Sequence, residues 1–210
     1  MKKNFFKCVP SRNFATIEVI CGPMFSGKTE ELIRRIKKAE IDCQKVIVFK
    51  PEIDNRYNKK KIMSHSRQSF FSLIAENSSE IETFFKKNNN KITVLAIDEV
   101  QFFDFNIIKV VEKLVDKNIR VILAGLDQDY LSRPFGPMGK LLAIADIITK
   151  QYSICVVCGS AATKTQRLKR KIHKNKEKIK IVIGAAKKYE ARCRLCYVRG
   201  LDESKSRLLI

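Results

Sequence analysis

No stretch of this 210-residue chain approaches the roughly 18 consecutive apolar residues of a membrane span, so a membrane-spanning helix is not expected. Residues Met1 to Arg12 are basic at their start but lack an apolar core and a small-residue cleavage site, so they read as an ordinary extension and not a signal peptide. Both absences point to a cytoplasmic protein. Histidine is almost missing: His65, in Ser64-His65-Ser66, reads as a hydrogen-bonded loop residue, and His173 lies inside a lysine run. That run, Lys164 to Lys180, is the densest basic stretch and contains no aromatic residue to stack on bases. There is no internal repeat.

What is abundant is positive charge, +20 in total. The lysines are spread along the whole chain, which reads as a solvated Lys- and Asn-rich surface that adheres to polyanions at low salt, without a specific nucleic-acid partner. The 45% hydrophobic content is enough for one good core and a small appended module. Of seven cysteines, Cys8, Cys21 and Cys43 sit among apolar residues and read as small buried hydrophobes. The other four are paired by spacing.

The most specific segment is Gly22-Pro23-Met24-Phe25-Ser26-Gly27-Lys28-Thr29, a complete G-x-x-x-x-G-K-[ST] phosphate loop. It follows an apolar, β-branched run (16–21) and opens a helical pattern, the context such a loop requires. Two glycines let the backbone fold close enough to aim several N–H groups at one phosphate chain. Lys28 then reaches the β- and γ-phosphates of ATP, and the Thr29 hydroxyl is a ligand for Mg²⁺.

Periodicity predicts a helix over 29–41, with Leu32, Ile33, Ile36 and Ala39 on one face, and a buried strand over 45–50. Residues 51–68 read as a loop and 69–85 as a helix. Asn88-Asn89-Asn90 marks a turn, followed by a strand over 92–97, a helix over 105–115 and a strand over 119–124. Strands alternating with helices predict an α/β fold, a P-loop parallel sheet flanked by helices, with its ligands at the carboxyl ends of the strands. From about residue 151 the pattern changes to cysteine pairs, short strands and charge. Two domains are therefore expected: a nucleotide-binding unit over 1–150 and a small zinc-binding unit over 151–210.

The apolar strand at 92–97 ends in Asp98-Glu99. A carboxylate there organises the Mg²⁺ shell of a P-loop site, which is the role expected of Asp98. Glu99 has two readings from chemistry alone. It either accepts a proton from an acceptor hydroxyl, or it caps a turn and polarises water for ATP hydrolysis. Cys155-Val156-Val157-Cys158 and Cys193-Arg194-Leu195-Cys196 are two C-x-x-C pairs, each able to hold one face of a tetrahedral ion. Together they predict a closed structural zinc site, since four thiolates leave no open position for catalysis and two matched pairs argue against a redox motif.

These features resemble the type II thymidine kinases over roughly residues 16–197. The motifs are G-P-M-F-S-G-K-T at 22–29, D-N-R-Y at 54–57, D-E-V-Q-F-F at 98–103, L-D-Q-D-Y-L-S-R-P-F-G at 126–136, A-T-K-T-Q-R at 162–167 and K-Y-E-A-R-C-R-L-C-Y at 188–197. The resemblance implies ATP- and Mg²⁺-dependent phosphorylation of the 5′-hydroxyl of thymidine, and of deoxyuridine, in deoxynucleoside salvage. It implies that Glu99 is the catalytic base, and that Asp98 and Gln101 belong to the nucleotide site. Asp54 and Arg56 would lie near the phosphates. Met24, Phe102, Leu126, Tyr130 and Thr165 would line the thymine pocket, with Tyr189 covering the base. A lasso between the cysteine pairs, about 159–192 and including Val182 and Gly184, would close over the nucleoside. A homotetramer and feedback inhibition by dTTP are implied in the same way.

The chain departs from the family in that lasso. Gly184-Ala185-Ala186-Lys187-Lys188-Tyr189 replaces a Gly-Gly pair followed by an acidic or small polar residue. Ala185 loses easy access to positive φ, and Lys187 adds charge beside the base. The competing reading is a zinc-containing P-loop ATPase that binds nucleic acid.

Overall fold

The computed structural model describes residues 15–53, 61–63, 68–88, 92–168 and 188–198. Six strands form one sheet in the order β5-β2-β6-β7-β1-β8, all parallel. They are β1 (Ile17–Cys21), β2 (Val46–Pro51), β5 (Leu73–Ala75), β6 (Val94–Ile97), β7 (Arg120–Gly125) and β8 (Ile147–Lys150). A two-stranded antiparallel ribbon, β3 (Lys61–Met63) with β4 (Ser69–Phe71), lies between β2 and β5 in the chain.

The inner strands read as unbroken apolar runs because both sheet faces are covered. Alternate residues go to opposite sides. Ile20, Val94, Ala96, Ile122 and Ala124 pack under α1 (Lys28–Ile41), meeting its Leu32, Ile33, Ile36 and Ala39. Val19, Leu95, Ile97, Val121 and Leu123 face the other side. There they meet α2 (Ser78–Lys87), α3 (Ile107–Val115) and α4 (Met138–Ile144) through Ile81, Phe85, Ile107, Val111, Met138 and Leu141. The expected α/β sheet with helices on both faces is what the chain forms.

Two expectations fail between residues 51 and 85. The segment read as a loop contains β3, whose Ile62 is buried under α1. The segment read as a helix over 69–85 is instead β4, β5 and then α2. Its aromatic and aliphatic residues are recruited by partners outside the segment, Phe71 opposite Lys61 and Leu73 beside Phe49, and pairing overrides local periodicity. The helix begins only at Asn77, whose side chain accepts the Glu80 N–H at 3.2 Å while the Glu80 carboxylate accepts the Glu76 N–H at 3.0 Å. Cys43 is exposed, not buried, because it sits in the turn that ends α1 with φ +57°. Cys21 is buried as expected.

Glu18 is a buried carboxylate in the middle of β1, invisible to a reading of apolar runs. Arg35 of α1 reaches it at 2.6 Å and Arg120 of β7 at 2.5 Å, and Arg35 also donates to the Thr149 hydroxyl of β8 at 2.6 Å. Glu31 completes the network by pairing with both Arg34 and Arg35. One helix is thereby pinned to three adjacent strands.

After β8 the chain forms two small antiparallel pairs, β9 (Ser153–Ile154) with β10 (Ala161–Ala162) and β11 (Lys164–Arg167) with β12 (Tyr189–Arg192). Their shared core is Cys155, Ala162, Ala191 and Cys193.

Glu31 provides a test of the network. Its hydrogen bond with Arg34, reinforced by Arg35 against the effect of burial, holds its carboxyl down from 4.5 to about 2. The folded value lies below the unfolded one, so the stabilisation is present above pH 4.5 and is lost as pH falls toward 2. Urea midpoints measured across that window should fall more gently for Glu31→Gln than for the parent chain. Equal slopes would remove Glu31 from the acid response.

Candidate active site and four-cysteine cluster

β1 delivers the chain to Gly22, whose φ of +147° L side chains rarely adopt. A Cβ at this position would stand 2.4 Å from the Gln151 carbonyl oxygen and 2.9 Å from the Ser26 hydroxyl. Gly27, at φ +79°, caps α1, and its carbonyl accepts the Glu31 N–H at 3.0 Å. The Ser26 hydroxyl and the Lys28 ammonium both donate to the Pro23 carbonyl, at 2.9 and 2.7 Å. Lys28 thus curls back over the loop it follows. The arrangement is a helix N-terminus with its amides exposed to an anion and a cation folded over them.

Thr29 donates to Asp98 Oδ2 at 3.0 Å, bringing the first turn of α1 to the carboxyl end of β6. The Asp98 N–H is bound to the Phe49 carbonyl of β2 at 3.0 Å, and Asp98 Oδ1 accepts the Glu99 N–H at 3.0 Å. A carboxylate and a hydroxyl in contact at a phosphate loop are a donor set for Mg²⁺. Glu99 is buried and has left-handed backbone, φ +51° and ψ +39°, which costs of order 1–3 kcal/mol for a residue with a side chain. The 3-10 turn Val100–Phe102 follows and buries Gln101, whose amide nitrogen donates to a Glu99 carboxylate oxygen. The other end of that amide, Oε1, accepts the Leu126 N–H at 3.0 Å.

Met24, Tyr130, Thr165 and Tyr189 are joined through the small C-terminal ribbon, whereas Phe102 and Leu126 are held elsewhere. The Met24 N–H donates to the Thr165 hydroxyl at 3.1 Å, so the phosphate loop touches β11 directly. The Tyr130 ring lies 5.1 Å from the Arg167 guanidinium, and Arg167 is opposite Tyr189 across the β11–β12 pair. Burial, partly offset by Arg167, raises the Tyr189 phenol above its ordinary value. Tyr197 donates to the Tyr130 carbonyl at 2.7 Å. Phe102 packs edge-to-face on Phe135, with centroids 5.4 Å apart. The expected residues Asp54, Arg56, Val182 and Gly184, and His65 and His173, lie outside the described residues.

Three features escaped the sequence reading. The Arg167 stack on Tyr130 joins two distant motifs and has no local signal. Phe25, with φ +65°, packs against the core of the cysteine module, so this loop residue belongs to two structural units. Lys150 pairs with Asp127 at 2.9 Å beside Cys21. Burial and then the Asp127 charge push the Cys21 thiol up to about 11, which keeps it protonated as a structural residue.

Cys155, Cys158, Cys193 and Cys196 place their four sulfurs within 4.8 Å of one another. The Cys158 and Cys193 sulfurs are 3.6 Å apart, close to the sulfur spacing of about 3.8 Å expected for a tetrahedral ion with 2.3 Å bonds. Burial raises the Cys155 thiol, but the N–H groups of Cys193, Cys158 and Val157 outweigh it and bring the value down to about 6. Hydrogen bonds with Cys158 and Cys193 push Cys196 up to about 12. Four thiolates this close cannot all ionise alone, so the set fits a soft dication that neutralises them.

The thymidine kinase family profile matches residues 15–197, which include the phosphate loop, Asp98-Glu99 and both cysteine pairs. The chain belongs to the thymidine kinase family. A thymidine kinase from Bacteroides thetaiotaomicron is 43% identical over 198 residues, covering 94% of each chain. This family member is accordingly a nucleoside kinase. Among solved structures, the genome packaging NTPase B204 from Sulfolobus turreted icosahedral virus 2 is similar at 20% identity. Its complex with ATP-gammaS aligns at TM-score 0.46 over 67% of this chain and 76% of that chain. Its complex with AMPPCP aligns at TM-score 0.47 over 67% and 77%. At that level no argument about activity rests on the likeness.

Gly22→Ala tests the loop geometry. The added methyl meets the Gln151 backbone, which cannot swing aside as the Ser26 hydroxyl could. Calorimetry should show ATP affinity reduced by more than about tenfold, the equivalent of about 1.4 kcal/mol. Retained affinity would mean that the loop opens without cost.

Proposed function

We propose that this protein transfers the γ-phosphoryl group of ATP to the 5′-hydroxyl of thymidine, and of deoxyuridine, giving the monophosphate for DNA synthesis by salvage. The observation that supports the reading is the continuous link Thr29–Asp98–Glu99 within a chain of this family, with Glu99 read as the base and its neighbours Thr29 and Asp98 as the metal-binding pair. Thr29 and Asp98 would hold Mg²⁺, which supplies charge neutralisation across the β- and γ-phosphates. The loop from Gly22 to Thr29 cradles the phosphates, chiefly through the N–H groups at its α1 end, Lys28 stabilises charge on the transferring group, and Arg56 adds to that stabilisation. Glu99 accepts the proton of the 5′-hydroxyl as the oxygen attacks phosphorus. Met24, Phe102, Leu126, Tyr130, Thr165 and Tyr189 line or cover the acceptor base, completed by Val182 and Gly184.

The four cysteines would bind structural Zn²⁺ and tie down the base of the lasso, which excludes water so that ATP is not hydrolysed in place of transfer. The chain is read as two units, 1–150 and 151–210, working in the cytoplasm. No described helix is long and apolar enough to cross a membrane. The family resemblance supports a homotetramer and dTTP as a feedback inhibitor.

Purified protein with ATP, Mg²⁺ and each deoxynucleoside should form thymidine monophosphate. ATP hydrolysis that ignores thymidine and rises with DNA or RNA would replace this reading with that of a nucleic-acid-dependent ATPase. Glu99→Gln should lower turnover by about 10²- to 10⁴-fold while ATP still binds, the range that general base catalysis contributes. Metal analysis should give one zinc per chain, and a strong chelator should lower the melting temperature and abolish thymidine binding. A chelated protein that melts and binds unchanged would remove the metal from both roles.

A further inference from the structure

We propose that Gln101 is a positioning residue for Glu99, coupling the base to the wall of the acceptor pocket at Leu126. This rests on the reading of Glu99 as the base. A glutamine amide has one donor end and one acceptor end, and both are used here with the correct sense. The NH₂ group faces the Glu99 carboxylate, and Oε1 faces the Leu126 N–H at 3.0 Å. The reversed amide would set oxygen against carboxylate and NH₂ against N–H, so the orientation is determined by both neighbours. The side chain is buried, at 2% exposure, and both ends of its amide are engaged, so its effect on the reaction passes through Glu99.

The surroundings keep this amide where it is. A Cβ at Gly125 would lie 2.6 Å from Gln101 Oε1, and one at Gly136 would lie 2.2 Å from the Gln101 carbonyl oxygen. Side chain and main chain are each fitted against a glycine. Glu99 has no helix or strand of its own to direct it, being a single left-handed residue between β6 and the 3-10 turn. Its carboxylate is aimed by what it bonds to. Leu126, at the other end of the amide, follows β7 and is one of the residues that the proposed function assigns to the acceptor pocket. A shift of the nucleoside-side wall is thus transmitted to the base through one side chain, and so is a shift of the base to the wall.

Gln101→Met keeps length and apolar bulk but removes both hydrogen bonds. The expected result is a fall in kcat for thymidine phosphorylation of about 10²-fold, the cost of misplacing a reacting group by about 1 Å, with the KM for ATP within about twofold of the parent. Gly125→Ala displaces the same amide without substituting Gln101 or Glu99, its methyl meeting Met138 and Val100 as well. The double variant should therefore be no slower than the slower single variant, whereas independent effects would multiply. If Gln101→Met melts well below the parent, Gln101→Glu decides, since it keeps the shape and the acceptor for Leu126 but sets a second carboxyl against Glu99 so that the two share a proton; it too should lose kcat. Unchanged kcat in a folded variant, alongside an inactive Glu99→Gln, overturns the inference. So does a raised KM for ATP at unchanged kcat, which would make Gln101 a nucleotide contact. A fully active Glu99→Gln overturns the underlying assignment of the base.

Discussion

The parallel pairing of β1 with β7 on one side and β8 on the other decides where everything else can go. Parallel strands send all their carboxyl ends to one edge of the sheet, so the loop after each strand opens on the same crevice. The phosphate loop follows β1, Asp98 and Glu99 follow β6, Leu126 follows β7, and Gln151 follows β8. The fit is tight enough that Gly22 has no room for a side chain beside the Gln151 backbone. Phosphate binding is therefore a consequence of strand order before it is a consequence of any single side chain.

Charge placement follows the same logic. The amino end of α1 offers amides and Lys28 to an anion, and Thr29 with Asp98, just after β6, offers oxygen donors to a cation beside it. The buried Glu18, bound by Arg35 and Arg120, fastens the outer side of α1 to the sheet. A carboxylate removed from water costs more than it returns unless its partners are in place, so the network fixes the helix in one position more than it adds stability. The helix that carries the phosphate loop cannot drift along the strands it covers.

Much of this was legible in the chain. β1, β2, β6 and β7 announce themselves as continuous apolar runs because both faces of the sheet are covered, and the phosphate loop and C-x-x-C pairs are local spacings. β8 was not foreseen: it is a four-residue edge strand whose isoleucines, Ile147 and Ile148, are largely exposed, so burial leaves no signature. β4 and β5 read as helix because partners outside the segment, β3 for one and β2 for the other, make them strands. In the site, Lys28, Thr29, Asp98 and Glu99 could be named from motifs. The Gln101 bridge and the Phe25 packing could not, since both are made by residues brought together from separate segments.

Phe25 also bears on how the protein is made. Its ring packs on Cys155, Ala162, Ala191 and Cys193, and the neighbouring Met24 amide is held by Thr165. The phosphate loop is encoded near the beginning of the chain, yet its last contacts come from residues synthesised more than a hundred positions later. A nascent chain on the ribosome can lay down β1 and α1 early, but these contacts to the loop form only after both cysteine pairs have emerged. A chain cut before them would carry the motif without the packing that braces it.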